Sequence, residues 1–199
     1  MRRRLLLRGA GVVLALVVVG AAWVAVTFRP FPPDKTPEGT YARIALAMAE
    51  RRTRDLFPFL ERDAEWATYT IRDLRREACS RVRASYPPDA GAPLLDAWHE
   101  QGDADDPADV FTLMATRRGW IARLERDLSG VDHVEVQGAR ATVVTSRGTR
   151  YSFRMRDNGA WGLTLFTADL TAEAERAARD LDVVKRAAQD YESSGARSR

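Results

Sequence analysis

"HVEVQGARATVVTSRGTRYSFRMRDNGAWGLTLF", residues 133–166, repeats with a period of two. Val134 and Val136 alternate with polar or charged neighbours, and Ala141 and Val143 alternate with Thr142 and Val144. Tyr151, Phe153 and Met155 point one way, while Arg150, Ser152, Arg154 and Arg156 point the other. Trp161, Leu163 and Leu165 close the series. Such alternation marks half-buried strands. Gly138-Ala139, Ser146-Arg147-Gly148 and Asp157-Asn158-Gly159 sit between the runs, and the last is a strong hairpin signal. Four strands joined by three short turns predict an antiparallel meander. Its apolar face has to be covered by something.

The remaining periodicity is helical, so helices supply the cover. Thr36-Pro37-Glu38 is a helix start, and Tyr41, Ile44, Ala45 and Met48 recur on one face. A short helix is expected around residues 53–61 with Leu56, Phe57 and Leu60, bent by Pro58. A longer one is expected over 63–85, with Trp66, Thr70, Leu74, Ala78 and Val82 along one side. "YPPDAGAP" (86–93) breaks the chain before a short piece holding Leu94, Leu95 and Trp98. "QGDADDPAD" (101–109) reads as loop and helix start, with Asp106 as cap and Pro107 first inside. Val110, Met114, Ile121, Leu124 and Leu128 then share a face as far as Ser129-Gly130, with Gly119 as a break.

After the strands, Leu170, Ala174, Ala177, Leu181, Val184, Ala188 and Tyr191 are spaced alternately four and three apart, a heptad seam on one helix. Three of these positions are alanine, which allows close approach but buries little area. The seam is therefore expected to pack on the protein's own helices or sheet rather than build a dimer. The fold class is α+β, in one domain over 38–192 with a tail at 193–199.

The N-terminus carries a different signal. Residues 9–28 hold no charge, and twenty helical residues span about 30 Å, the thickness of a bilayer core. Arg2, Arg3, Arg4 and Arg8 flank the near end, and Trp23 and Phe28 lie toward the far end. The positive-inside rule holds that N-terminus in the cytoplasm and sends the body across. The expectation is an anchor in the inner (cytoplasmic) membrane over residues 1–28, touching lipid through 9–28, with the body in the periplasm or outside. The rival reading is a signal peptide cleaved near Gly20-Ala21-Ala22. Pro30, Pro32, Pro33 and Pro37 make residues 29–37 a semi-rigid stalk.

The formal net charge is +3, but four of the 31 basic residues and none of the 28 acidic ones lie in the first eight positions. The rest of the chain is balanced and offers no field for nucleic acid. The single cysteine, Cys79, excludes an internal disulfide and reads as a buried thiol.

"FRMRDNGAWGLTLF" (153–166) resembles the last hairpin of NTF2-like domains, through Gly159, Trp161 and Leu163. Helices followed by a meander are also similar to that α+β cone, and the whole resembles an exported, membrane-anchored bacterial protein. The resemblance covers about a third of the chain. The middle helices are longer than that fold carries, and a long helix follows the last strand. The resemblance implies a pocket that serves enzymes and non-catalytic binding modules alike.

Motif chemistry is sparse. His99 and His133 lack metal-ligand spacing and are the weak candidates for a His/Asp acid–base pair. Asp103, Asp105, Asp106 and Asp109 look like a cation loop, but Ala108 and Met114 stand where an EF-hand needs Gly and Glu, so capping explains them better. No cofactor or metal is expected. Arg147, Arg150, Arg154 and Arg156 offer a cationic strip for an anionic polymer or an acidic envelope protein. The leading function is a non-catalytic binding or scaffold module. The alternatives are an enzyme in an NTF2-like pocket and a homo-oligomer built through the last helix.

Overall fold

The computed structural model describes residues 32–33 and 35–197, with side chains through 194. The expected membrane span lies outside the described residues. Among those described, no helix is long and apolar enough to cross a membrane.

The architecture is α+β. Strands β1 (Val131–Gln137), β2 (Arg140–Thr145), β3 (Arg150–Met155) and β4 (Trp161–Leu163) form one antiparallel sheet in sequential order. The expected inner face is the buried one: Ala141, Val143, Tyr151, Phe153, Trp161 and Leu163 are all covered. Tyr151 pairs with Val143, and Phe153 sits between Ala141 and Leu163, so these side chains form contiguous rows. The expectation fails at the ends. Val136 and Met155 are exposed, and β4 stops before Leu165, which is also exposed.

Helix α1 (Pro37–Ala49) starts where expected: the Thr36 hydroxyl accepts from the Gly39 amide at 3.0 Å, and Pro37 opens the first turn. It buries Tyr41, Ile44, Ala47 and Met48. The short helix expected at 53–61 is a 3₁₀ segment, Thr53–Phe59, that includes Pro58. Leu60 leaves it in extended conformation and bridges Leu163 in parallel, so the chain touches the outer edge of β4 before α2 (Arg62–Ser85) begins.

The buried side of α2 differs from the expected one. It runs through Ala64, Ala67, Thr68, Ile71, Arg75, Ala78, Cys79 and Val82, while Trp66 is 59 % exposed. A charged residue thus occupies the inner stripe and a tryptophan the outer one. The region expected to be a break with a short piece is a full helix, α3 (Pro88–Gly102), despite Pro93 inside it. Pro88 is pre-set for a first turn. The cost of the later proline is offset by packing on α2, where Gly91 meets Val82 and Gly102 meets the Arg75 backbone.

Helix α4 (Pro107–Arg117) is capped by Asp106, whose carboxylate accepts from the Ala108 amide at 2.6 Å. Gly119, at φ 67°, separates it from α5 (Trp120–Asp127), as its position suggested. Helix α6 (Thr167–Arg197) continues past the expected domain end at 192. Its seam is covered from within the chain: α2 is the element it packs on most, and Leu170, Ala177, Leu181, Val184 and Ala188 are buried. Tyr191, the last seam position, is 38 % exposed but packs on Tyr86 with ring centroids 4.9 Å apart and planes tilted by 59°.

One apolar cluster joins α1, the 3₁₀ segment, the start of α2, α4, α5, the sheet and the start of α6. Each large side chain buried there contributes roughly 1.5–3 kcal/mol.

Candidate functional site

The sheet and helices leave a cleft of about 120 Å³ beside α5, lined by Trp120, Arg123, Leu124, Asp127, Thr149, Arg150, Tyr151, Leu165, Phe166 and Asp169. Its geometry follows from local sequence. Gly119 turns the chain so that Trp120 opens α5 inward, and the end of β4 at Leu163 frees Leu165 and Phe166 before α6 starts. Trp120 stacks on Phe166 with centroids 5.1 Å apart and planes 17° apart, and the Arg118 guanidinium lies 5.4 Å from the Trp120 ring centroid. That fixes one wall.

Tyr151 lines the other wall. Its ring meets Tyr41 at 5.3 Å, and its hydroxyl is buried with no hydrogen-bond partner. Burial pushes the Tyr151 pKa up to about 12, with Tyr41 and Asp127 adding to the effect, so the group is a neutral phenol at working pH. Tyr41 is raised by burial, which the hydrogen bond to Ser129 partly opposes. Its hydroxyl donates to the Ser129 carbonyl at 2.7 Å and accepts from the Ser129 amide at 3.1 Å. These two hydrogen bonds engage the Tyr41 hydroxyl with Ser129 and leave the Tyr151 hydroxyl without it as a partner. Among the lining residues Arg123 is exposed and has no carboxylate partner among the described residues, while Asp127 and Asp169 bring two carboxylates to the same cleft.

The sequence-expected candidates lie elsewhere. His99 is on α3, with Nδ1 2.9 Å from the Leu95 carbonyl oxygen. His133 is on β1, with Nδ1 2.8 Å from the Asp132 carboxylate and Nε2 3.4 Å from that of Glu135. Those hydrogen bonds, Asp132 first, raise its pKa. Neither histidine lines the cleft.

The arginine strip is present, but carboxylates meet it. Arg150 donates to Glu135 at 2.5 Å and Arg156 to Glu65 at 3.0 Å. Arg154 lies 3.1 Å from Asp63 and 3.3 Å from Glu61, and Arg147 donates to the Arg126 carbonyl at 2.7 Å. Glu61, Asp63 and Glu65 come from the start of α2, which strand alternation alone does not bring into view. Of the aspartates of 103–109, Asp103 pairs with Arg83, and Asp106 and Asp109 pair with Arg54. Among the described residues no cluster of three His, Cys, Asp or Glu side chains has the geometry to hold a metal ion. Cys79 is buried, and burial raises its thiol pKa away from reactivity.

Sequence reasoning missed Arg123, Asp127, Asp169 and the role of Leu165. The detectable signal was Gly119-Trp120: a glycine break followed by an aromatic marks a place where a helix restarts facing inward.

Comparison of the chain with protein-family models, with curated proteins and with solved structures returns no match.

Proposed function

We infer that this chain is a membrane-anchored binding module of the cell envelope rather than an enzyme, holding its ligand in the cleft beside α5. The observation that carries this reading is the cleft's composition. Aromatic rings and leucines form its walls, Arg123 and Arg150 stand beside Asp127 and Asp169 in its lining, and neither histidine nor cysteine is among the lining residues. Such a site retains a ligand by shape and charge. The NTF2-like resemblance supports the same place, because that fold uses the space between its helices and the sheet.

The volume sets the ligand's size: an apolar cavity of about 150 Å³ accepts a benzene ring. The one lining guanidinium with no carboxylate partner among the described residues is Arg123, so the ligand class tested is one small ring carrying a carboxylate that reaches Arg123 and stays clear of Asp127 and Asp169. Saturation-transfer NMR with phenylacetate is expected to show binding that weakens in Arg123→Ala and disappears in Leu124→Trp. An absence of transfer to the wild-type protein refutes the cleft as the ligand site.

The envelope placement rests on residues 1–37, with the N-terminus inside and the body outside. Alkaline phosphatase fused after Arg199 is expected to be active in intact cells. An inactive but full-length fusion means that the body does not cross the membrane.

A further inference from the structure

Away from the cleft, α2 turns aromatic side chains outward. Trp66 is the most exposed large apolar residue described, at 59 %, and Tyr69, one turn on, is 42 % exposed. Their ring centroids are 6.0 Å apart, and Phe57 continues the row 6.3 Å beyond Tyr69. The Arg72 guanidinium lies 5.6 Å from the Tyr69 centroid and steadies that ring. Exposed aromatic rows of this kind are uncommon on soluble surfaces and mark contact sites.

Trp66 and Tyr69 form one side of a groove of about 520 Å³, whose other lining residues are Arg62, Glu65, Arg156, Asp157 and Asn158. Asp157 and Asn158 belong to the β3–β4 hairpin turn. The groove's charges are matched within it. Arg62 pairs with Asp157, and Arg156 donates to Glu65 at 3.0 Å. Two guanidiniums thus meet two carboxylates, so the groove presents polar groups without net charge. One of those groups retains donor capacity. The Asn158 amide oxygen accepts from the Ala160 amide at 3.0 Å, which leaves its NH₂ free to donate.

We propose that this groove binds an uncharged polysaccharide chain, with pyranose rings lying on Trp66 and Tyr69 and their hydroxyls bonded to the Arg62–Asp157 and Arg156–Glu65 pairs and the Asn158 amide. Charge balance selects this occupant. An anionic polymer or acidic peptide would have to displace Asp157 or Glu65 from its arginine, and an apolar peptide would cover two ion pairs without replacing their water. A sugar ring has an apolar C–H face for the indole, and hydroxyls that both donate and accept. It therefore satisfies carboxylate and guanidinium together. The Trp66 and Tyr69 centroids are 6.0 Å apart and their planes 47° apart, so each ring offers its own face to one pyranose of a bent chain.

The test uses the full-length protein in detergent, titrated by calorimetry with chitotetraose and cellotetraose and co-sedimented with insoluble chitin. Binding to at least one of these glycans is expected, with affinity reduced about tenfold or more by Trp66→Ala and by Tyr69→Ala, the loss of one stacking contact. Arg123→Ala, in the separate cleft, is expected to bind as wild type. Binding is also expected to persist in about 0.5 M salt, where electrostatic attachment would be screened. Thermal melts of both aromatic variants should match wild type, because the side chains are exposed. Failure of all three glycans to bind, binding unaffected by Trp66→Ala, or binding abolished by salt each overturns the proposal. The last result would point to charged partners instead.

Discussion

Gly162→Ala is expected to destabilise the protein by roughly 3 kcal/mol or more, and Gly162→Val to prevent folding. A Cβ at this position would lie 2.5 Å from the Glu61 Cα and 2.7 Å from both the Glu61 nitrogen and the Leu60 carbonyl oxygen. Those are backbone atoms, and they cannot rotate away as a side-chain tip does. They are also held in place. The Glu61 amide donates to the Leu163 carbonyl at 3.0 Å, Leu60 bridges Leu163, and β4 is tied on its other edge to β3. A methyl group must therefore push β4 off the extended segment that leads into α2. That would expose Leu60 and Leu163, which are both 1 % accessible. Gly130→Ala is the control, since its nearest neighbour would be the Ser146 hydroxyl at 3.9 Å, and it should cost under about 0.5 kcal/mol. Urea unfolding followed by far-UV circular dichroism gives both numbers. Equal midpoints for the two alanine variants would show that β4 and Leu60–Glu61 are not packed this closely.

Arg75→Ala is expected to cost about 3–5 kcal/mol, the loss typical of breaking a buried ion pair from one side. The Arg75 side chain is 3 % exposed and that of Glu173 is 7 % exposed. Arg75 Nη2 lies 3.3 Å from Glu173, Nη1 donates to Asp180 at 2.7 Å, and the guanidinium sits 4.7 Å from the Trp98 ring centroid. One side chain on α2 thereby fastens α3 and α6. Its removal leaves Glu173 with Arg118 at 2.6 Å and the more distant Arg176 at 3.5 Å, both on the more exposed side, and leaves Trp98 facing a void. The comparison is Arg83→Ala, whose pair with Asp103 is about half exposed on both sides and should contribute under about 1 kcal/mol. Arg75→Met combined with Glu173→Leu is expected to recover most of the loss, because it removes both buried charges together. An Arg75→Ala variant within about 1 kcal/mol of wild type would refute the fastening role, and so would a double variant no better than the single.

The strand block was legible because its information is local. Side chains alternate strictly between the faces of a strand, and a glycine-bearing turn reverses the chain at once, so residues 133–163 predict their own pairing and their own buried face. Thr36, Asp106 and Gly119 were legible for the same reason: a cap or a left-handed break is a matter between near neighbours. The heptad seam of α6 announced a helix and a buried stripe. Its alanine content pointed correctly to a partner within the chain, but only the tertiary structure named α2 as that partner.

What local pattern could not decide was the meaning of the residues that break it. Arg75 lies on the same stripe as Ile71, Ala78 and Val82, and becomes an inner residue only because Glu173 and Asp180, about a hundred positions later, arrive to meet it. The same distance effect turned the third strand's arginines from an open cationic strip into ion pairs with Glu61, Asp63 and Glu65. Pro93 reads as a breaker, yet it stands inside α3, since packing of Gly91 and Gly102 on α2 offsets the lost hydrogen bond. The cleft and the Trp66 groove are gaps between elements distant in sequence, so no single segment encodes them. Sequence by itself determined the α+β class, the meander and its inner face, through steric rules acting over a few residues. The tertiary structure decided which charges are buried, which aromatics face solvent and where clefts open, because burial and Coulombic pairing depend on what the rest of the chain brings alongside.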